Sequence, residues 1–349
     1  MDDLDTLLEL LVKEGASDLH ISEGRNPYIR VSGQIMPLTK YPKFTKATMD
    51  NILSKTLSDL KRNTFKYSQS ADFAYNHKEE RFRVHTFVDQ QKVCMAFRHI
   101  PRKIPSLSEL SLPDNLENFA RLKSGFFLVV GPTGHGKSTT LASLIDVINN
   151  ERLENIITIE DPVEYLFTPK KSIIYQREVG IDTPSFASAL HDSFRADVNV
   201  IMVGEMRDAD TMSTAVSVAE TGHLVFSTLH TNNAAQTVDR IVDSFNADQQ
   251  NQIRIQLAAS LSGIFSQRLI PKISGGLIPA YELMINNTAV SNLIRDKRTH
   301  ELNTVIETSS HEGMIDFNRC LVERVNRGEI TIENAYLYST NPRALEKML

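Results

Sequence analysis

The sequence predicts an α/β fold, a mainly parallel sheet covered by helices on both faces, with an α+β segment before it and short helices after it. Three observations carry that expectation. First, from residue 116 onward apolar runs (FFLVVG, IITIE, SIIYQ, NVIMVGE, LVFSTLH) alternate with helical stretches (LASLIDVINN, FASALHDSF, ADTMSTAVSVAE, QQNQIRIQLAASLSGIFSQRL). Second, a glycine-rich turn joins the first strand to the first helix. Third, the first hundred residues mix one amphipathic helix with short strand-like runs.

In that opening segment Leu4, Leu7, Leu8, Leu11 and Val12 fall on one helical face, and Gly15 is the expected stop. DLHIS, YIRVSG, FAYN, RFRVHTFV and KVCMAFRHI read as strands, the last two as a hairpin turning at DQQ. In RFRVHTFV, Phe82, Val84, Thr86 and Val88 share one face, and Arg81, Arg83 and His85 the other. The stretch 101–115 holds three of the chain's 13 prolines without a clear period and reads as a linker. The expected organisation is therefore an N-terminal domain at 1–100, a linker at 101–115, an α/β domain at 116–285 and a helical segment at 286–349.

The chain has 349 residues, 41% hydrophobic and 23% charged, ordinary for a globular protein. Its net charge of −5 argues against a broad nucleic-acid footprint, so no nucleic-acid partner is expected. The two cysteines, Cys94 and Cys320, have no metal-ligand spacing and imply no disulfide framework. The acidic start MDDLDTLLELL is wrong for a signal peptide, and runs such as FFLVV are too short to span a membrane. The expectation is a soluble, cytoplasmic protein able to dock on a membrane complex.

The strongest chemical signal is GPTGHGKS, which satisfies G-x-x-x-x-G-K-[ST] between a strand and a helix. Glycines let backbone N–H groups approach phosphate oxygens, and the helix N-terminus adds positive potential. Gly131, Pro132, Thr133, Gly134, His135, Gly136, Lys137, Ser138 and Thr139 are the expected nucleotide-binding set. In it Lys137 reaches the β- and γ-phosphates and Ser138 holds Mg²⁺, so ATP and Mg²⁺ are the expected cofactors.

Other candidates stand at strand ends, where open parallel sheets gather functional groups. NVIMVGEMRD delivers Glu205, a candidate for orienting or deprotonating water. IITIEDPVEY delivers Glu160, Asp161 and Glu164, with Pro162 shaping the turn; Glu160 and Glu164 are candidates for Mg²⁺-water or γ-phosphate chemistry. LVFSTLH is bracketed by two histidines. His230, at the carboxyl end, is expected either on the γ-phosphate or hydrogen-bonded to Glu205. His223, at the other end, is expected to orient Glu220 or to serve a subunit contact. Hydrolysis also needs cations outside the loop. Arg81, Arg83 and Arg98 are candidates from the N-terminal segment, with Arg195, Arg207 and Arg240 further ones near strand ends.

GPTGHGKSTTLA, IITIEDPVEY, QREVG, VGEMRD and TGHLVFSTLHTNNAAQTVDRI occur in that order. The order resembles the Walker A, Asp-box, Walker B and His-box motifs of the secretion-type ATPases of type IV pili and type II secretion, over essentially the whole chain. The resemblance implies a RecA-like P-loop ATPase domain, a PAS-like N-terminal α+β domain, and a homohexameric ring. It makes Lys137 the Walker A lysine, Glu205 the Walker B glutamate, Glu160 and Glu164 the Asp-box acids, and His223 and His230 the His-box pair. Arg83 and Arg98 match N-domain arginines that approach nucleotide in such enzymes.

GASDLHIS and SNLIR resemble the retraction branch of that family. SQRLIPKISGGLIPAYELM lacks the paired-cysteine insertion usual in the assembly and secretion branch, and the chain starts directly at the PAS-like segment. The implied activity is ATP-driven pilus retraction against an inner-membrane platform protein. Ser291 stands where an arginine is common, so the primary and accessory members of the branch both remain. His135 replaces the usual serine or threonine in the loop, where contacts are mainly through backbone. Ala196, Val198 and Asn199 replace a commoner acidic residue, proline and aspartate, which bears on how the Glu205 strand is tuned.

Overall fold

The computed structural model describes residues 3–31, 34–100 and 102–349. Met1 and Asp2 of the expected first helix, Ser32 and Gly33 of YIRVSG, and Pro101 at the start of the expected linker lie outside the described residues. The chain divides into two compact units. The first runs to Lys103 and also takes Asp161–Leu166 and Glu178–Asp182; the second takes the rest.

In the first unit, helix α1 (Asp3–Lys13) buries Leu4, Leu7, Leu8 and Leu11, the stripe that its spacing requires, and Gly15 ends it at φ 61°. Strands β1 (Asp18–Ser22), β2 (Tyr28–Val31) and β3 (Gln34–Pro37) follow. Helices α2 (Lys46–Thr56) and α3 (Asp59–Ser68) lead to β4 (Ser70–His77), β5 (Glu80–Asp89) and β6 (Lys92–Ile100). The strands form one sheet in the order β3-β2-β1-β6-β5-β4. The expected hairpin is there: Asp89 pairs with Lys92, and Gln90 and Gln91 take φ 49° and 65° in a two-residue turn. Phe82, Val84 and Thr86 are buried, so β5 turns Arg81, Arg83 and His85 to its other face.

The second unit holds α4 (Glu117–Ala120), β7 (Gly125–Val130), α5 (Lys137–Glu151), β8 (Asn155–Glu160) and β9 (Ile173–Glu178). It continues with α6 (Phe186–Ser193), β10 (Val200–Val203), α7 (Ala209–Glu220), β11 (Leu224–Leu229), α8 (Ala234–Asp243), α9 (Gln250–Ser260), β12 (Leu261–Pro271) and β13 (Leu277–Ile285). Short helices close the chain: α10 (Thr288–Arg295), α11 (Leu302–Thr308), α12 (Phe317–Asn326), α13 (Ile332–Tyr338) and α14 (Pro342–Glu346). The sheet order is β13-β12-β7-β11-β10-β8-β9. Strands β12, β7, β11, β10 and β8 run parallel, and β13 is antiparallel to β12.

One expectation is corrected here. The helix expected through QQNQIRIQLAASLSGIFSQRL ends at Ser260, and LSGIFSQRL is strand β12. A Cβ on Gly263 would lie 2.8 Å from Met284 O and 2.9 Å from the Phe119 ring. The missing side chain lets β12 settle between its neighbours, which a helical reading of the apolar run could not foresee. Residues 104–115 belong to the second unit, and Leu107 and Leu112 are buried in its core beside Phe119 and Phe127. Among the described residues no helix is long and apolar enough to cross a membrane.

Candidate active site

Strand β7 delivers the chain into the loop 131–136, and α5 leaves it. Gly131, Gly134 and Gly136 all have positive φ (147°, 80° and 82°), which L side chains avoid. Helices such as α7 and α8 begin under a side-chain oxygen, from Asp208 and Asn233 respectively. Helix α5 begins at Gly136, with no side-chain cap. A helix start without a side-chain cap is the kind that suits an anion, since no side-chain oxygen stands in the anion's place. Ser138 is exposed in that first turn, with Thr139 half-buried behind it.

Lys137 is buried, and its Nζ donates to Gly131 O and Pro132 O, both at 2.9 Å. The same ammonium is 3.4 Å from His230 Nδ1, which also lies 3.3 Å from Thr133 Oγ1. An ammonium can only donate, so Nδ1 is the accepting nitrogen and the neutral ring carries its proton on Nε2. That Nε2 faces Glu205 Oε2 at 3.5 Å. A polar chain thus runs from the loop lysine through His230 to Glu205. His230 therefore stands beside both Lys137 and Glu205.

Glu205 follows β10, held by its backbone. Gly204 N–H donates to Ile159 O at 2.8 Å, Thr228 Oγ1 donates to Gly204 O at 2.6 Å, and Met206 N–H donates to Thr228 O at 3.3 Å. A Cβ at Gly204 would press within 3.3 Å of Ile159 O, so glycine lets the strand end lie against Glu160. Arg207 pairs with Glu205. Glu160 ends β8 beside β10, nearly buried, and its Oε1 accepts from Thr158 Oγ1 at 2.7 Å and from Gln176 Nε2 at 3.4 Å. The exposed Ser138 hydroxyl suits Mg²⁺, which keeps several waters and takes few protein ligands alongside phosphate oxygens.

The other candidates lie elsewhere. His223 stands at the opposite end of β11 from His230, roughly 23 Å away at the rise of a strand. Its Nδ1 bonds Val218 O at 3.1 Å and its ring meets Phe194 edge-on. The expectation that it orients Glu220 is corrected: Glu220 instead accepts from Gln256 Nε2 at 2.8 Å. Ala196, Val198 and Asn199 also lie at that end, where Asn199 Oδ1 accepts from Asn155 N–H, so they are a strand length from Glu205. Arg195 and Arg240 are exposed.

Within the first unit, Arg83 Nη1 donates to Glu164 Oε1 at 3.1 Å, and Arg98 Nε to Asp18 Oδ1 at 2.9 Å. Arg81 donates to Val163 O, Asn76 Oδ1 and Glu178 Oε2 at 2.9, 3.0 and 3.3 Å. Each arginine is thus paired inside its own unit, so service to a phosphate would require it to leave a carboxylate.

His135 is gripped twice by β12. Leu269 N–H donates to its Nδ1 at 2.9 Å, and Gln267 Nε2 donates to its backbone O at 2.6 Å. Burial first, then the charges of Arg268 and Lys137, holds its pKa below the usual 6.5. Protonating Nδ1 would set N–H against N–H. This contribution to stability is therefore intact above about pH 6.5 and is lost as pH falls through the lowered folded value. Between about pH 7.5 and 5.5, denaturation midpoints should fall more steeply for wild type than for His135→Ser. Parallel profiles would contradict the latch. No sequence signal marked Gln267, because the segment read as helix.

Set beside known proteins, residues 1–327 match the family model described as type II/IV secretion system protein. The chain belongs to this family. It is 40% identical over 334 residues to the type IV pilus retraction ATPase PilT of Pseudomonas aeruginosa, covering 95% of this chain and 97% of that one. It is 39% identical over 349 residues to the type IV pilus ATPase PilU of the same organism, covering 99% and 91%. A crystal structure of the pilus retraction motor PilT with bound ADP superposes with a TM-score of 0.90, at 43% identity and 99% coverage of both chains. The RecA-like P-loop fold with an N-terminal α+β unit is borne out, as is membership of the ATP-hydrolysing pilus and secretion enzymes.

Proposed function

We propose that the chain is the subunit of a homohexameric, cytoplasmic ATPase that powers type IV pilus retraction, and so twitching motility, by acting on an inner-membrane platform protein. The observation that carries the catalytic part is the line from Lys137 through His230 to Glu205. Lys137 and the loop amides bind the β- and γ-phosphates. Mg²⁺, held by Ser138, supplies charge neutralisation at those oxygens when bound. Glu205 accepts the proton of the attacking water as its oxygen bonds to the γ-phosphorus; the bond to the β-γ bridging oxygen breaks, leaving ADP and inorganic phosphate. His230 holds Glu205 in place and reads the loop through Nδ1. Glu160 supports the water from the adjacent strand end, and Glu164 lies beyond it in sequence. Arg83 and Arg98 are the proposed sources of further positive charge.

Retraction rather than assembly is favoured by near full-length likeness to PilT and PilU and by the cysteine-free segment 266–284. An accessory role in the same machine is the second reading, since the identity to PilU nearly equals that to PilT. The test is a count of surface pili in cells whose only copy carries Lys137→Ala. More pili with lost surface movement are expected. Fewer pili would overturn retraction in favour of assembly, and unchanged pili would favour the accessory reading.

A further inference from the structure

Gln267 lies on β12, which runs beside β7 with Ser266 opposite Val130, so Gln267 falls at the point where β7 passes into the phosphate loop. Its side chain is 3% exposed. Both ends of its amide are used. Nε2 donates to His135 O at 2.6 Å, and Oε1 accepts from Thr140 Oγ1, in the first turns of α5, at 2.7 Å. The sense of the amide follows, because a backbone carbonyl can only accept. The glycines at both ends of the loop are pressed on this one residue. A Cβ at Gly131 would lie 2.3 Å from Gln267 O, and a Cβ at Gly136 would lie 2.9 Å from Gln267 Nε2.

We propose that Gln267 is a positioning residue for nucleotide binding, whose amide fixes the phosphate loop against the start of α5 so that the loop's N–H groups are set before phosphate arrives. In a trans peptide the C=O and the following N–H point in opposite directions. Holding His135 O toward β12 therefore turns the Gly136 N–H away from β12. The Leu269 bond to His135 Nδ1 keeps the residue from rotating about that contact. The Thr140 bond fixes α5 to the same amide, so loop and helix keep one geometry. Donors fixed in advance lose no conformational freedom on binding, and this lowers Kd without acting on the bond-breaking step.

The proposal rests on the nucleotide reading of the loop. Binding of fluorescent ADP to the full wild-type chain tests that reading, and the ratio of variant to wild type tests this one. Gln267→Leu removes both hydrogen bonds and leaves His135 O and the buried Thr140 Oγ1 without this partner. It should raise the Kd for ADP and the KM for ATP roughly tenfold, with kcat at saturating ATP within about twofold of wild type. Thr140→Val keeps the His135 contact and should raise Kd by a smaller factor. The double variant should be no weaker than Gln267→Leu alone, because the two residues share one contact. A merely structural residue would lower the active fraction and kcat and leave the Kd of folded protein unchanged. Wild-type Kd in both single variants would overturn the proposal. Should Gln267→Leu not fold, wild-type Kd in Thr140→Val alone would overturn it.

Discussion

Glu205→Ala is expected to bind ATP near the wild-type level and to lose turnover by about 10²- to 10⁴-fold, the usual contribution of a positioned general base. The carboxylate is the terminus of the polar chain through His230, and its side chain is only 18% exposed. Strand β10 and Thr228 fix the backbone beneath it, so removing the side chain deletes the base without unseating the loop. Lys137 and the α5 amides remain, which is why binding should survive. Glu205→Gln keeps the volume and much of the hydrogen bonding but cannot take a proton, so it should match alanine in kcat. His230→Ala should lie between, since it acts on Glu205 and not on water. Steady-state phosphate release and fluorescent ADP binding measure the two quantities separately. Turnover within tenfold of wild type in both Glu205 variants would remove Glu205 from the catalytic role. Loss of ADP binding in parallel would instead mean that Glu205 supports the loop.

What could be read from the sequence follows from what is local. GPTGHGKS carries its own backbone demands, and strands such as LVFSTLH are apolar throughout because both faces are covered. Helix α1 announced itself by its stripe. Helix α3 has no fully buried residue and packs Phe65 against the core only in part, so its stripe is faint. Strand β12 was hidden because LSGIF suits a helix face as well as a buried strand, and only Phe119 and Met284 around Gly263 decide between them. The same rule holds in the site. The loop, Glu160, Glu205 and His230 were legible as strand-end groups. The grip of Gln267 on His135, across 132 residues, was not. Nor was the pairing of Arg81 with Glu178, 97 residues apart.

That last pair sets the other large expectation. Arg81→Ala should destabilise the chain by roughly 3–5 kcal/mol, the cost of leaving one member of a buried ion pair behind. The side chains of Arg81 and Glu178 are 11% and 6% exposed. Glu178 Oε2 accepts from both Arg81 and the Val163 N–H, at 3.3 and 3.1 Å, while Oε1 has no hydrogen-bond partner among the described residues. Burial already pushes the carboxyl above its usual pKa, against the pull of the Val163 amide and of Arg81. Without the guanidinium it must protonate or draw in water. Arg81 Nε also holds Val163 O, so the substitution removes a tie to each segment that joins the first unit, Asp161–Leu166 and Glu178–Asp182. Glu160 immediately precedes the first of these, so turnover should fall along with stability. Arg81→Lys should recover little, because one ammonium cannot replace a fork that reaches three acceptors. Replacing the pair together, Arg81→Met with Glu178→Leu, should restore much of the lost stability while leaving turnover low, since the Val163 contact stays broken. With no tryptophan in the chain, urea denaturation followed by circular dichroism is the suitable measurement. A loss below about 1 kcal/mol for Arg81→Ala would show that the pair is screened as surface pairs are, and that the two inserted segments are held to the first unit by other contacts, such as that of Arg83 with Glu164.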